Sequence, residues 1–181
     1  MSQAYIIFEE EVTESEAKVN ALNLIVGTLY TLTCFGGENF DTLSANAISY
    51  SNKLLKKNLQ AEAINLASHL YFCTSRKQGT QVMASQRKAL KTSEICMTKP
   101  ENLYLLVKIL NSYIFFFQHR ENNFVSAQDI NDLLSFIKET IDEMEDRGPA
   151  EPSLKFLENT KQAVREKISA DASSKMTEIT I

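Results

Sequence analysis

The chain has 181 residues, of which 23% are charged, and its formal net charge at pH 7 is −4. This length suffices for one domain with a buried core, or for a segment of a longer repeat array. The acidic balance excludes the basic footprint of a nucleic-acid-binding protein. Five glycines and three prolines are few for a β-sandwich with many tight turns, and alternating strand patterns are absent. The composition therefore predicts an all-α fold.

Neither a secretory signal nor direct membrane insertion is predicted. The N-terminal residues are acidic and interrupted by charges, unlike a signal peptide. The most apolar stretch, Leu103–Phe117, is shorter than the ~20 residues of a membrane span and contains Lys108 and Asn111. The three widely spaced cysteines are Cys34, Cys73 and Cys96. Because no pair has C-x-x-C spacing, we expect them to be reduced and buried in a cytosolic protein.

Helical spacing of apolar residues, together with capping patterns, predicts eight helices. After an opening helix without a cap, they are expected from Thr13 to about Leu32, from about Asn39 to Leu55, from Asn58 to before Gly79, from Thr80, from Thr98, from Ser126, and from about Ser153 to Ile168. Thr13 with Glu16 fits the capping box, in which the two residues satisfy each other's backbone amides. Thr98 with Glu101 fits it again. Ser126 precedes the most regular apolar stripe, with i, i+3, i+4 and i+7 spacing.

The end of the chain contains few apolar residues. From Ser169 onward the sequence is mostly small and polar, so ordering it would bury little. We therefore expect a helical segment over residues 1–168 and a mobile tail over residues 169–181.

Alternate predicted helices recur at a nearly constant interval. The expected caps Thr13, Asn58 and Thr98 lie 45 and 40 residues apart. Two-helix periods of about 40–47 residues are typical of HEAT-like arrays, in which short connections make successive helices antiparallel. A compact bundle of seven or eight helices fits the same periodicity. The spacing alone therefore leaves both architectures open.

The stretch Leu103–Phe117 is apolar over an unusually wide arc. On a helix its apolar side chains cover roughly 200°, whereas a surface helix needs only about 100°. This helix is therefore expected to be covered on two sides. Tyr104 and Phe115 project into the remaining polar arc, where a partner would be needed to explain them.

No catalytic or metal-binding motif is present. His69 and His119 are far apart, and neither lies in a His-Glu-x-x-His or Glu-x-x-His pattern. His69 with Cys73 has i, i+4 spacing, but a buried thiol beneath a half-exposed imidazole explains this pair better than a thiolate–imidazolium couple. We therefore expect no enzyme active site, no metal and no cofactor. A helical lipid-binding module or enzyme with its pocket along Leu103–Phe117 is the alternative from another functional class.

Two charge clusters lie at predicted helix ends. The acidic cluster is Glu9, Glu10 and Glu11, and the basic cluster is Lys53, Lys56 and Lys57. Such charges are common at helix ends, where they complement the helix dipole. They would also suit a two-fold contact, in which each chain supplies both signs. Leu54 and Leu55, within the basic cluster, are expected to face inward.

A collinear series of short segments gives the chain a family resemblance. The segments are residues 8–17, 25–28, 34–35, 53–57, 69–72, 88–91, 96–97 and 109–116. In this order and spacing they resemble the C-terminal part of the retromer large-subunit family, vacuolar protein sorting-associated protein 35. The resemblance covers roughly Tyr5 to Ile141 and weakens beyond Gly148.

The resemblance implies an α-solenoid of HEAT-like antiparallel helix hairpins, much longer in the whole protein, of which this chain is expected to be a fragment. It implies a non-catalytic scaffold that holds a small subunit with a metallophosphoesterase fold (vacuolar protein sorting-associated protein 29) and pairs two coat complexes as a weak homodimer. Sorting nexins, cargo adaptors and Rab regulators would be indirect partners. The expected location is cytoplasmic and peripheral to the endosomal membrane. An unrelated HEAT adaptor remains a second alternative.

The resemblance also implies roles for particular residues. By position, the acidic and basic clusters, Glu9–Glu11 and Lys53, Lys56 and Lys57, match the charges implicated in pairing two complexes. Candidates for contact with the small subunit rest on aromatic character alone. These are Tyr71, Phe72, Tyr104, Phe115 and Phe117. Phe117 lies inside the wide apolar arc and is the better candidate for the core.

Overall fold

The computed structural model describes residues 1–72, 79–96, 98–119, 124–171 and 174–181. In these ranges the secondary structure is helical, with no strand, which confirms the predicted all-α class. The chain divides into two compact units, Met1–Ile95 and Cys96–Ile181, each with its own core. None of the described helices combines the length and apolarity needed to cross a membrane.

In its described residues, 1–72 and 79–95, the first unit contains five α-helices. They are α1 (Ser2–Glu10), α2 (Ser15–Thr31), α3 (Gly37–Asn52), α4 (Lys57–Ala67) and α5 (Gly79–Glu94), with a short 3-10 helix at Ser68–Phe72. Helix α4 packs against α2, α3 and α5. Its buried face includes the small residues Ala61, Ala63 and Ala67, which allow neighbouring helices to approach closely. The core is completed by fully buried Leu22, Leu29, Ile64 and Leu70.

A buried polar contact joins α5 to the end of α4. Gln86 of α5 is fully buried, and its Nε2 donates to Ser68 Oγ at 2.6 Å. Ser68 Oγ in turn donates to the carbonyl oxygen of Asn65 at 2.6 Å. The neighbouring His69 is largely buried, and this burial lowers its pKa from 6.5 to about 4.

The second unit is built around one central helix. Its α-helices are α6 (Lys99–Gln118), α7 (Ala127–Asp142) and α8 (Glu151–Ala170), with 3-10 helices at Gly148–Ala150 and Lys175–Glu178. Helix α6 packs against both α7 and α8. It buries residues around most of its circumference, including Leu103, Leu106, Leu110 and Phe116. The predicted two-sided coverage of Leu103–Phe117 is confirmed.

The observed helix starts correct the predicted interval. Alternate helices α2, α4 and α6 begin at Ser15, Lys57 and Lys99, so the two intervals are both 42 residues. Helices α3 and α5, at Gly37 and Gly79, show the same interval. The repeat is thus more regular than the predicted caps indicated, and it lies within the range of about 40–47 residues typical of HEAT-like hairpins.

Two of the predicted caps are wrong and two are at the correct positions. Helix α2 is preceded by Glu14 rather than Thr13, and α4 by Lys56 rather than Asn58, whose Oδ1 instead accepts from the amide of Leu59. Thr98 precedes α6 but makes no side-chain capping bond. Ser126 caps α7 through a complete capping box with Asp129.

Two predictions of burial also fail. Cys34 is exposed because α2 ends before it, at Thr31. At the other end of the chain, the expectation that the tail has little to bury is wrong, because Met176 and Ile179 are buried. Cys73 lies outside the described residues.

The central position of α6 leads to a stability prediction. Phe116 is fully buried, so Phe116→Ala removes packed apolar surface and leaves a cavity. We expect the free energy of unfolding to fall by about 3–5 kcal/mol, measured by urea denaturation followed by circular dichroism. Phe115→Ala is the control, because the adjacent ring is only half-buried and its loss should cost far less. Equal losses in the two variants would contradict the prediction.

The buried His69 leads to a pH prediction. The unfolded histidine has a pKa of 6.5 and the folded one about 4, so between these values the unfolded chain binds more protons. Stability should therefore fall as the pH drops from 6.5 towards 4, by at most about 3 kcal/mol from this group. His69→Gln should flatten that part of the stability profile in urea titrations at each pH. An unchanged profile in His69→Gln would refute the assignment.

Candidate protein-interaction surface

The acidic and basic clusters meet at one end of the first unit through Tyr50 of α3. The Tyr50 hydroxyl donates to Glu9 Oε2 at 2.9 Å. Lys53 Nζ lies 5.2 Å from the centroid of the same ring, a cation–π distance. One aromatic side chain thus holds a carboxylate at its hydroxyl and an ammonium over its face.

Aromatic packing between α1 and α3 fixes the position of Tyr50. Its ring stacks on Tyr5 at a centroid distance of 5.5 Å and meets Phe8 edge-on at 5.1 Å. Tyr5 is buried, and its hydroxyl donates to the carbonyl oxygen of Leu43 at 2.6 Å. Because Tyr5 and Phe8 lie one helical turn apart on the buried face of α1, Glu9 emerges beside the stack. The spacing of Tyr5 and Phe8 along α1 therefore determines where the Glu9 carboxylate lies.

The two tyrosine hydroxyls remain protonated at neutral pH. The hydrogen bond to the Glu9 carboxylate raises the pKa of Tyr50. Burial raises the pKa of Tyr5 to about 12. Both groups therefore act as hydrogen-bond donors, and Tyr50 adds no negative charge next to Glu9.

The lysines occupy the turn between α3 and α4 and stay at the surface. Lys53 directly follows α3 and Lys56 directly precedes α4. Lys56 Nζ lies 3.8 Å from Glu16 Oε1, but both side chains are more than half exposed, so this pair contributes only about 0–1 kcal/mol. Lys57 Nζ donates to Gln60 Oε1 at 3.0 Å. These weak internal contacts leave the charges accessible to another molecule.

An exposed apolar residue lies within the basic cluster. Leu55 is 87% exposed, whereas the adjacent Leu54 is buried. The inward orientation predicted for Leu55 is wrong, because α3 ends at Asn52 and the two leucines lie in the turn that follows. Both help to line a cavity of about 150 Å³. The other lining residues are Phe8, Glu9, Thr13, Ser15, Lys18, Tyr50 and Lys53.

We call this region the charged turn surface. It comprises the acidic residues Glu9, Glu10 and Glu11, the basic residues Lys53, Lys56 and Lys57, and the exposed Leu55. The structure brings Glu9 and Lys53 to one aromatic ring, and Glu10 and Glu11 are exposed beside them at the end of α1. Sequence reasoning missed Tyr50 and Leu55. A predicted end of α3 at Asn52, in place of Leu55, would have indicated that Leu55 lies in an exposed turn.

Three of the aromatic candidates remain accessible and two do not. Phe72 and Phe117 are each only 7% exposed, so they belong to the cores of their units. Tyr71 is half-buried, which raises its pKa, and it helps to line a cavity of about 250 Å³ between α3 and α5. Phe115 is half-buried against Phe116 and His119.

Tyr104 is the most accessible aromatic candidate of the second unit. It is 42% exposed, and Lys108 Nζ lies 4.7 Å from its ring centroid. The ring of Phe156 on α8 lies 6.3 Å away. Tyr104, Lys108 and Phe156 thus form an aromatic patch with a cation, of which the sequence pattern indicated only Tyr104.

Comparisons with known proteins match this chain to one family. The family model described as vacuolar protein sorting-associated protein 35 matches residues 1–140. Vacuolar protein sorting-associated protein 35A of Arabidopsis thaliana is 34% identical over 179 residues, which are 89% of this chain and 22% of the relative. For protein 35B of the same plant, the identity is 38% over 146 residues, with 75% of this chain and 18% of the relative covered. Vacuolar protein sorting-associated protein 35 of Schizosaccharomyces pombe is 30% identical over 158 residues, which are 83% of this chain and 19% of the relative.

The chain therefore spans about a fifth of the length of the curated relatives that it matches. The matched residues 1–140 include α1 to α6 and nearly all of α7. This range agrees with the resemblance noted over Tyr5 to Ile141, and it contains every residue of the charged turn surface. Because the family model covers well over half of the chain, the chain belongs to the vacuolar protein sorting-associated protein 35 family.

Proposed function

We propose that this chain is a C-terminal solenoid segment of a non-catalytic scaffold of the retromer coat. Such a scaffold serves endosomal protein sorting, with retrieval of cargo to the Golgi or the plasma membrane, from the cytoplasmic side of the endosomal membrane. The family membership is the observation that supports it most strongly. The regular 42-residue interval between alternate helices supports the scaffold architecture.

The first proposed activity is pairing of two copies through the charged turn surface. In a two-fold contact the same patch is used by both copies, so each acidic cluster faces the partner's basic cluster. Glu9 lies at the hydroxyl of Tyr50 and Lys53 lies over its ring, so the patch carries both of the charges that such a contact needs. The exposed Leu55 supplies apolar area close to the centre.

The chemistry indicates a weak, salt-sensitive association. Exposed ion pairs contribute only about 0–1 kcal/mol each, and 0.15 M salt screens charges beyond about 8 Å. Stable interfaces bury more than about 1,000 Å² in total. Pairing would therefore depend on Leu55 and neighbouring apolar area as well as on charge.

Charge reversal tests the pairing. Replacing Lys53, Lys56 and Lys57 together by Glu should abolish self-association, because the acidic cluster of the partner would then meet like charge. Sedimentation equilibrium at low and high salt measures the effect, and circular dichroism checks the fold. The matched control replaces Arg87, Lys88 and Lys91 of α5 by Glu; these residues are exposed, and the net charge changes by the same amount.

A complementary mixture makes this test specific. Glu9, Glu10 and Glu11 replaced by Lys should also fail to self-associate, yet this variant mixed with the lysine-to-glutamate variant should form heterodimers. Loss of helicity in the lysine-to-glutamate variant would show that the lysines are structural. Unchanged self-association of a folded variant would refute the pairing proposal.

The second proposed activity is binding of the metallophosphoesterase-fold subunit, vacuolar protein sorting-associated protein 29. The accessible aromatic residues Tyr71, Tyr104 and Phe115 are the candidates for contact, since Phe72 and Phe117 are buried. Aromatic rings provide a large contact area at low entropic cost, so they commonly dominate protein interfaces. Sorting nexins, cargo adaptors and Rab regulators would be reached indirectly, through the assembled coat.

A tyrosine pair provides the test of small-subunit binding. Tyr104→Ala should weaken the complex with the purified small subunit about tenfold, because an aromatic anchor is lost; calorimetric titration measures the affinity. Tyr30→Ala is the matched control, since Tyr30 and Tyr104 are both 42% exposed and Tyr30 lies on α2. Failure of the wild-type pair to co-elute would refute small-subunit binding, and equal affinities of the two variants would exclude Tyr104 as a contact.

A further inference from the structure

Two main-chain groups of the segment Ser174–Ile181 are hydrogen-bonded by one side chain of α7, that of Asn131. Asn131 Nδ2 donates to the carbonyl oxygen of Glu178 at 3.1 Å. Asn131 Oδ1 accepts from the amide of Thr180 at 2.8 Å. The two bonded main-chain groups flank Ile179, whose backbone is extended, with φ −87° and ψ 124°. The amide of Asn131 therefore binds the backbone of an extended peptide as a neighbouring strand would.

Two apolar side chains anchor the same segment. Met176 and Ile179 are 2% and 5% exposed. Met176 lies in the 3-10 helix Lys175–Glu178, and Ile179 follows its last residue, three positions after Met176. The 3-10 helix packs against both α7 and α8. The segment thus combines main-chain recognition with two side-chain anchors, as peptides bound in grooves do.

The groove that receives the segment is only partly filled. A cavity of about 490 Å³ continues beyond Thr180 and Ile181 between α7 and α8. Its apolar lining is Leu134, Ile137, Ile141 and Leu157, and Lys138 and Lys161 also line it. Leu134 and Ile141 are only half-buried, so apolar surface remains accessible there.

The segment can leave without disrupting the unit. Ile130 and Leu133 of α7 are buried in a helix that packs extensively against α6, independently of the Asn131 hydrogen bonds. Two hydrogen bonds to Asn131 and the buried side chains of Met176 and Ile179 attach residues 174–181 to α7 and α8. Because the segment is tethered through α8, its high effective concentration favours the bound state, and a free competitor must overcome this.

We propose that the α7–α8 groove is a peptide-binding site and that Ser174–Ile181 is its displaceable intramolecular ligand. The site takes a segment with two apolar side chains three residues apart, the first in a turn of 3-10 helix and the second in the extended residue that follows it, where Asn131 recognises the backbone. Lys138 and Lys161 favour acidic groups in the part of a ligand that reaches the open end. Release of the chain's own segment would expose the site to a competing segment of this chemistry.

The test uses the full chain with Met176→Ser and Ile179→Ser, which weakens the resident ligand, and a fluorescent peptide with the sequence of Ser174–Ile181. Fluorescence anisotropy should show saturable binding to this double variant and at least about tenfold weaker binding to the wild-type chain, where the tethered segment competes. Adding Asn131→Ala should weaken peptide binding about tenfold, because two hydrogen bonds are lost. Gln128→Ala, one turn earlier on α7, is the matched control and should leave binding unchanged.

Hydrogen exchange on the wild-type chain gives a second, independent measurement. Excess peptide should speed exchange of the Thr180 amide and leave the amides of α6 and α7 unchanged. The proposal is overturned if the folded double variant does not bind the peptide. It is also overturned if the triple variant, with Asn131→Ala added, binds the peptide as tightly as the double variant does. An unchanged exchange rate of Thr180 in saturating peptide would also overturn it, whatever the stability of the variants.

Discussion

In each unit one helix must be buried on more than one side, and this requirement places the other helices. Helix α4 meets α2, α3 and α5, and its alanines keep the contacts close. Helix α6 is covered by α7 and α8 because its apolar residues extend around most of its circumference. Burial of apolar area is the main favourable term in folding, so a helix with this pattern is stable only when its neighbours are in place. The two helices that need this coverage, α4 and α6, begin 42 residues apart, which is also the interval between the starts of α2 and α4.

The charged turn surface is a consequence of that packing. Tyr5 and Phe8 attach α1 to α3, and Tyr50 joins their aromatic cluster. Helix α3 ends at Asn52 and α4 begins at Lys57, so Lys53 and Lys56 lie in the turn between the helices and Lys57 is the first residue of α4. All three lysines are exposed, and Leu54 is the residue of this turn that the core buries.

Features that depend on short stretches of sequence were predicted well, and features that depend on the exact end of a helix were not. The wide apolar arc of α6 and the Ser126 cap follow from spacing within one or two turns. Thr13 and Asn58 match capping preferences, yet the structure starts those helices elsewhere, because core packing outweighs a cap worth about 1 kcal/mol. Leu55 faces outward because α3 ends at Asn52, three residues before its predicted end. Met176 and Ile179 are buried in a segment that Asn131, nearly fifty residues earlier, binds through two hydrogen bonds, and local composition does not indicate such a distant contact.

The shared contact of Glu9 and Lys53 with Tyr50 has a consequence for selectivity. Two charges on separate mobile side chains can adapt to many partners, one at a time. Here the same rigid ring sets the spacing between the carboxylate and the ammonium, and that ring is itself wedged between two helices. In the proposed pairing, a partner that presents opposite charges at this separation would gain from both contacts, whereas a partner that matches one charge would gain from that contact alone.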